Sequence, residues 1–111
     1  MTDYIQIEWM AASVEEACKV VKRLLEEKLI ACANLIKEIE SHYVWKGVFE
    51  TSIEVKVLLK SHKKYFNLIQ TLITEHSSYE VPAILSFSIL ESSPKYLQWL
   101  KDSLSTHVLK E

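Results

Sequence analysis

The chain has 111 residues, 25% of which are charged, and its formal net charge is -2 at pH 7. This length suffices for one domain with a core that needs neither a disulfide nor a metal, and we expect a single domain over residues 1–111. The small net charge gives no electrostatic footprint for nucleic acid or an acidic membrane, so neither is an expected partner. No apolar run reaches the ~18 residues of a membrane-spanning helix, and Met1 to Ile7 lack the pattern of a signal peptide. The expected location is therefore the cytoplasm.

The first predicted elements are a strand and a helix. From Tyr4 to Met10 apolar residues alternate with polar ones, which is typical of a strand with one buried face. Ser13 to Glu16 fits a capping box, in which the serine oxygen accepts a backbone N–H of the first turn and the Glu16 carboxylate accepts the N–H of Ser13. The spacing that follows predicts an amphipathic helix. Its apolar positions are Val14, Ala17, Cys18, Val21, Leu24 and Leu25.

A long β-hairpin is predicted from Ile30 to Lys60, with its turn at Gly47, the only glycine of the chain. The second arm alternates strictly, which predicts a half-buried strand. Each arm has ~12–15 residues and is ~40–50 Å long, whereas a compact chain of ~100 residues is ~34 Å across. We therefore expect the hairpin to project from its domain. Its projecting part carries apolar side chains that favour cover by another chain, namely Tyr43, Trp45, Val48 and Phe49.

A second amphipathic helix follows the hairpin. Ser61 is placed to cap its N-terminus, and the helical spacing ends near His76. The apolar positions of this helix are Tyr65, Phe66, Ile69, Leu72 and Ile73.

The last predicted elements are a strand and a short helix. Pro82 indicates that a core strand, Ala83 to Leu90, starts there or lies at an edge. Ser93 and Pro94 are typical of a helix start, and the helix they begin carries Leu97, Leu100 and Leu104. The tail from Ser105 to Glu111 is expected to be loose.

The element order β, α, β, β, α, β, α fits two right-handed β-α-β crossovers that share one antiparallel sheet. We therefore predict the α+β class, with a ferredoxin-like split βαβ sandwich, helices on one face of the sheet, an extended β-hairpin and a short C-terminal helix. The other face would carry residues such as Ile36, Leu58 and Trp9, or the residues that alternate with them, which water solvates poorly. This bare face is a second reason to expect an oligomer.

The composition offers little support for catalysis. With one glycine the chain has no P-loop, no dinucleotide-binding fingerprint and no nucleophile elbow, all of which need several glycines. Cys18 on the helical stripe and Cys32 in a strand are expected to be buried thiols that act as small apolar side chains rather than redox groups. We therefore predict that the protein is not an enzyme.

Five blocks of sequence stand out in chain order: Glu27 to Asn34, Tyr43 to Gly47, Glu54 with Lys60 and Ser61, Tyr79 to Pro82, and Tyr96 to Leu100. Together they cover about residues 5–104 and resemble the successive motifs of the CutA family of divalent-cation tolerance proteins. The resemblance implies a ferredoxin-like domain that forms a homotrimer through its long hairpins, with an architecture like that of the trimeric PII signalling proteins. It also implies a link to copper and other divalent metals, and no established reaction.

The chain departs from this family where metal ligands are expected. Family members commonly carry His-Pro-Tyr-Glu where this chain has Ser77-Ser78-Tyr79-Glu80, and the three copper-binding positions of some bacterial members are here Trp9, His76 and Ser77. Only His76 remains as a metal candidate, and one imidazole is fewer than the three or four ligands such ions take. Its alternative role is to favour the negative C-terminal end of the helix dipole. We therefore expect weak or non-standard binding of a divalent cation such as copper.

A second metal hypothesis concerns Glu38, Glu40 and His42, which alternate onto one face of the first arm, with Glu54 and Lys56 opposite if the register allows. These side chains would take a divalent ion at a subunit junction, or would form a solvated strand face with cross-strand charge pairs, which is the preferred interpretation. His62 and His107 are interpreted as ordinary surface residues.

The resemblance also suggests a cleft between subunits. Its candidate residues are Trp45, Glu54, Lys60, Tyr79 and Glu80. Within such a cleft, Lys60 would bind a small anion or metabolite, which makes a PII-like sensor of an anionic effector the alternative to a metal-responsive binding module. The aromatic residues Tyr43, Trp45 and Tyr79 are interpreted as interface packing in preference to a ligand cage.

Overall fold

The structure, a computed structural model, describes residues 3–104. The predicted loose tail and His107 lie outside the described residues. In chain order the elements are β1 (Tyr4–Ala11), α1 (Val14–Glu26), β2 (Cys32–Trp45), β3 (Val48–His62), a 3-10 turn (Lys63–Tyr65), α2 (Phe66–His76), β4 (Ile84–Ser88) and α3 (Pro94–Ser103).

The four strands form one sheet in the order β2-β3-β1-β4, and every neighbouring pair is antiparallel. This is the ferredoxin-like arrangement, so the predicted fold class is confirmed. Strand β1 buries every second residue, including Ile7 and Trp9, under the helices. Of the residues expected on the helix-free face, Ile36 and Leu58 lie there and Trp9 does not, because Trp9 shares the face of Ile7 and pairs with the buried Val57.

The hairpin of β2 and β3 is as long as expected, with 14 and 15 residues, and the described chain extends 44 Å along its longest axis. Lys46 and Gly47 connect the arms with φ values of 50° and 81°. Positive φ at both central residues is the signature of the type I′ turn, whose twist matches that of the strands. Near the middle of β2, Lys37 and Glu38 together oppose one residue of β3 and form a β-bulge, with φ of 59° at Glu38.

The bulge decides which residues of the outer hairpin share a face. Beyond it, Ile39 pairs with Glu54 and Tyr43 pairs with Glu50. These pairs lie on the face of the sheet that α1 and α2 leave uncovered. The residues of β3 that are buried under the helices, such as Val55, alternate with them along the strand and lie on the opposite face.

Two caps differ from their predictions. The Ser13 oxygen accepts the N–H of Glu16 at 3.1 Å as expected, but the Glu16 carboxylate accepts the N–H groups of Ala12 at 3.3 Å and Ser78 at 3.0 Å instead of that of Ser13. Ser61 does not cap a helix. It is buried in β3 and its hydroxyl donates to the Leu29 carbonyl at 2.6 Å.

His62, next to Ser61, caps the 3-10 turn that precedes α2, whereas α2 itself begins after Tyr65 without a side-chain cap. Nδ1 of His62 accepts the N–H of Lys64 at 3.0 Å, so His62 is more than an ordinary surface residue. Burial, and then the charge of Lys64, hold the pKa of His62 below its usual value, which keeps the imidazole neutral and able to accept.

Two further predictions need correction. Cys18 is exposed, because the helix-to-sheet face of α1 is formed by Ala17, Val20 and Leu24. Strand β4 is shorter than predicted and lies at the sheet edge, as Pro82 suggested, but it is not a core strand, since Leu85 and Phe87 are half exposed on the helix-free face.

Candidate functional site

A cavity of about 410 Å³ lies between the outer half of the hairpin and the segment of residues 78–83 that leads into β4. It brings together four of the five predicted cleft residues. Its lining residues are Met10, Tyr43, Trp45, Glu50, Glu54, Ser78, Tyr79, Glu80, Val81 and Ala83. A volume of this size suits a small ligand.

Backbone hydrogen bonds hold the segment over the sheet at both of its ends. At the start, Glu16 of α1 accepts the N–H of Ser78, and the hydroxyl of Ser77 accepts the N–H of Tyr79 at 3.1 Å. At the end, Met10 of β1 donates its N–H to the carbonyl of Ala83 at 3.1 Å. The segment is therefore bonded to α1 at its start and to β1 at its end, which places Tyr79 and Glu80 at the cavity.

Glu54 is the most deeply placed polar residue of the cavity, with 8% of its surface exposed. The Tyr79 hydroxyl donates to its carboxylate, and burial together with this bond raises the pKa of Tyr79 to about 12. None of the ion pairs within residues 3–104 includes Glu54. A buried carboxylate outside any ion pair is costly, so a cation brought to this point would be favoured electrostatically.

The outer rim of the cavity carries additional aromatic and charged side chains. The Tyr43 hydroxyl lies 3.2 Å from the Ser52 hydroxyl. The Lys46 ammonium lies 5.5 Å from the ring centroid of Trp45 and 3.4 Å from Oε1 of Glu80. The rim thus combines the Trp45 ring with the Glu80 carboxylate, and the Lys46 ammonium contacts both.

Lys60, the remaining cleft candidate, lies elsewhere. It pairs with Cys32 near the inner end of the hairpin, six residues or ~20 Å along β3 from Glu54. Its ammonium donates to the Asn34 side chain at 3.4 Å. Within one chain, Lys60 therefore does not reach the cavity that holds the other four candidates.

His76 ends α2 and lines a second, smaller cavity of about 260 Å³. Lys19 and Arg23 line the same cavity, and their positive charges oppose the binding of a metal cation. Its place at the helix end fits the alternative role, an imidazole that favours the C-terminal dipole. Among residues 3–104, no three His, Cys, Asp or Glu side chains are grouped so as to hold a metal ion.

The set of Glu38, Glu40 and His42 is not assembled as a metal site either. Glu40 bonds to Nε2 of His42 at 2.6 Å, and Nδ1 of the same ring lies 3.2 Å from the Thr51 hydroxyl. Glu38 lies in the bulge. Glu54 was expected opposite these residues, but it pairs with Ile39 and lies on the other face of the hairpin. This face is exposed, in line with the preferred interpretation of a solvated strand face. Its ion pair joins Glu40 and His42 of the same strand rather than residues of two strands.

The four residues predicted at a subunit interface are exposed in the single chain, most of all Phe49 at 84%. They lie at the tip of the hairpin, on β2 and β3 next to the turn. The helix-free face of the sheet exposes a second apolar group, which consists of Ile36, Leu85 and Phe87. Both surfaces are of the kind that associating proteins bury.

Sequence reasoning did not include Glu16, Glu50 or Met10 in the site. Glu50 lies four residues before Glu54 on β3 and therefore on the same face of the strand, so the alternation alone could have placed it in the site. The sequence pattern predicts a helix-capping role for Glu16 and places Met10 at the end of the first strand. Their positions depend on the 78–83 segment, whose path the sequence did not reveal.

The fold and the site define a class of α+β proteins with a ferredoxin-like sheet, a projecting hairpin and a cavity of small-ligand size beside the outer half of that hairpin. None of the helices in the described part of the chain is both long and apolar enough to cross a bilayer. The family model described as CutA1 divalent ion tolerance protein matches residues 5–103. The chain therefore belongs to this family.

Similar proteins agree with this assignment. The divalent-cation tolerance protein CutA of Pyrococcus horikoshii is 42% identical over 86 residues, which span 78% of this chain and 83% of that one. Protein CutA, chloroplastic, of Arabidopsis thaliana is 32% identical over 80% of this chain, which spans about half (49%) of that relative. The solved structure of the periplasmic divalent cation tolerance protein CutA of Archaeoglobus fulgidus superposes with a TM-score of 0.88 at 30% identity, covering 92% of this chain and 99% of that one.

Proposed function

We propose that this protein is a binding module of the divalent-cation response that acts as a homotrimer and takes its cation weakly, in the cavity beneath the 78–83 segment. The observation that carries the proposal is Glu54, a buried carboxylate without an ion-pair partner in the described chain, in a cavity that also holds Glu50 and Glu80. Family membership supports the link to divalent cations. No reaction step is part of the proposal.

The chemistry of the ligands limits which metals would bind well. The cavity offers carboxylate and hydroxyl oxygens, and these suit hard cations such as Mg²⁺ or Mn²⁺. Copper prefers imidazole and sulfur ligands, and His76 lies at another cavity among cationic neighbours. Copper binding by one chain is therefore expected to be weak and not to depend on His76.

The apolar hairpin tip and the helix-free sheet face support assembly. Water solvates such surfaces poorly, and burying them between subunits is favourable. A homotrimer built through the hairpins would cover both surfaces, and it would place the cavity next to a neighbouring subunit. This arrangement agrees with what the sequence resemblance implied.

The cytosol is the proposed location. Cys18 and Cys32 are free thiols, which a reducing compartment preserves. Because the names of relatives include the chloroplast and the periplasm, the location is tested directly by fractionation of source cells with an antibody against this chain. Recovery outside the cytosolic fraction would contradict it.

An anionic effector is less well supported at this cavity. Its lining contains three glutamates and no lysine or arginine, and Lys60 lies far along the strand. The charge needed for an anion belongs instead to the second cavity, which is lined by Lys19, Arg23 and His76.

The test combines native mass spectrometry with calorimetric titration of Mn²⁺ and Cu²⁺ into protein freed of metal. We expect three subunits, weak saturable binding of Mn²⁺ that Glu54→Gln reduces, and no change with His76→Ala. A monomer or dimer at micromolar concentration would contradict the assembly. Mn²⁺ binding that survives Glu54→Gln would contradict the site.

A further inference from the structure

The cavity beneath the 78–83 segment is lined by aromatic side chains as well as carboxylates. Tyr43, Trp45 and Tyr79 contribute the rings. A metal ion makes no use of aromatic faces, and the described residues hold no group of three His, Cys, Asp or Glu side chains placed around one, which is why the metal binding proposed above is weak. An organic ammonium ion uses both kinds of wall, because its charge is attracted to carboxylates and to ring faces while its alkyl part packs on the rings.

Glu54 marks the inner end of this cavity. It is more than nine-tenths buried, and the Tyr79 hydroxyl that donates to it brings no positive charge, so the carboxylate lacks a counter-ion within residues 3–104. Desolvating a carboxylate is costly, and an ammonium placed against it offsets that cost through a charge-assisted hydrogen bond.

The ammonium of Lys46 lies at the outer end of the cavity. Its Nζ lies over the Trp45 ring at 5.5 Å and 3.4 Å from Glu80. Both partners of this ion pair are about 70% exposed (69% and 70%), and such pairs contribute little stability. The Lys46 ammonium is therefore easily displaced and competes with any external cation for the same groups.

The spacing of the carboxylates favours a ligand with two charges. Glu50 and Glu54 lie four residues apart on one face of β3, which separates their Cα atoms by ~13 Å. One ammonium at Glu54 leaves the second free to reach the outer carboxylates, with the alkyl chain between the aromatic rings.

We propose that this cavity binds an alkyl diamine, with one ammonium at Glu54, the alkyl chain against Trp45 and Tyr79, and Lys46 as the chain's own competitor. The inference rests on the proposed function only in that it uses the same cavity as a cation site. The expected consequence of the competition is specific: removing the Lys46 ammonium increases affinity for the diamine.

Isothermal titration calorimetry of the intact protein with 1,4-diaminobutane, at fixed ionic strength, tests the proposal. We expect one saturable site per chain and none for butane-1,4-diol, which has the same alkyl chain without the charges. Glu54→Gln should weaken binding by about tenfold. Lys46→Asn should strengthen it about twofold to fivefold, and asparagine tolerates the positive φ of this position.

Glu26→Gln is the matched control, because it removes the same charge from the exposed surface of α1. It should leave the diamine Kd unchanged. If Glu54→Gln is unfolded at the titration temperature, Glu50→Gln carries the same expectation of weaker binding.

Absence of saturable diamine binding, equal binding of the diol, or weaker binding by Lys46→Asn would each overturn the inference. Subunit number and Mn²⁺ binding measured on the same preparations separate it from the proposed function. A trimer that binds Mn²⁺ but no diamine overturns this inference alone, and diamine binding by a monomer overturns the proposed assembly alone.

Discussion

The carboxylate of Glu16 accepts the backbone N–H of Ser78 at 3.0 Å, across 62 residues of sequence. Its other oxygen accepts the N–H of Ala12 at 3.3 Å, at the start of α1. One side chain therefore links the first helix to the segment that covers the cavity. The relationship makes Glu16 a positioning residue for Tyr79 and Glu80.

Replacing Glu16 by alanine should loosen the segment and lower stability by ~1–2 kcal/mol, because two backbone N–H groups lose their acceptor. Chemical denaturation measures the stability, and hydrogen exchange at the amides of Ser78 and Tyr79 measures the loosening. Glu15→Ala is the control, since Glu15 is exposed in the same helical turn. Unchanged exchange at Ser78 would show that the Glu16 bond does not hold the segment.

Alkaline pH should destabilise the protein through Tyr79. Its pKa is raised to about 12 by burial and by its bond to Glu54, whereas an unfolded tyrosine titrates near 10. The unfolded state therefore loses its proton first, and the stability from this group is present below pH ~10 and is lost as the pH rises toward ~12. Denaturation midpoints measured across this range should fall.

Tyr79→Phe should have lower stability at neutral pH, because the bond to Glu54 is lost, and a shallower alkaline decline. Some decline should remain, since burial and the thiol of Cys32 also raise the pKa of Tyr96 to about 12. Equal alkaline slopes for the wild type and Tyr79→Phe would refute the role of Tyr79.

The hairpin turn should tolerate asparagine better than alanine at Gly47. The residue has φ of +81°, and a Cβ placed there meets nothing within 4 Å, so only backbone strain opposes a side chain. Gly47→Ala should cost ~1 kcal/mol, and Gly47→Asn less, because asparagine adopts positive φ more readily. Urea unfolding of the two variants measures the difference, and an alanine variant as stable as the wild type would contradict it.

A charge at the hairpin tip should weaken the proposed trimer. Phe49 is 84% exposed in the single chain, and Phe49→Asp would place a carboxylate in the buried subunit contact. Light scattering after size-exclusion chromatography should show smaller species at micromolar concentration. Leu68→Asp, which adds the same charge to an exposed position of α2, should leave the mass unchanged.

A trimer that persists in Phe49→Asp would exclude the tip from the interface. The helix-free face would then be tested by Phe87→Asp on β4, where the side chain is half exposed. Loss of assembly in that variant alone would assign the contact to the sheet face.

Local patterns in the sequence were sufficient for most of the fold. Alternation located β1 and β3, helical spacing located α1 and α2, and Gly47 located the hairpin turn. These features depend on a residue and its near neighbours in the chain, so they can be predicted from the sequence alone. The order of the elements then left the ferredoxin-like sheet as the natural solution, and five motif blocks led to the family that the comparisons confirm.

Only the tertiary structure decided the composition of the site. Glu54 occupies a position of β3 that the alternation predicts to be solvated, yet it is buried because the 78–83 segment crosses over it. Lys60 shares its strand and its face but lies ~20 Å away. The bulge at Glu38 sets which side of the hairpin Tyr43 and Trp45 occupy. Each of these outcomes depends on contacts between distant parts of the chain, and no local preference of a residue encodes them.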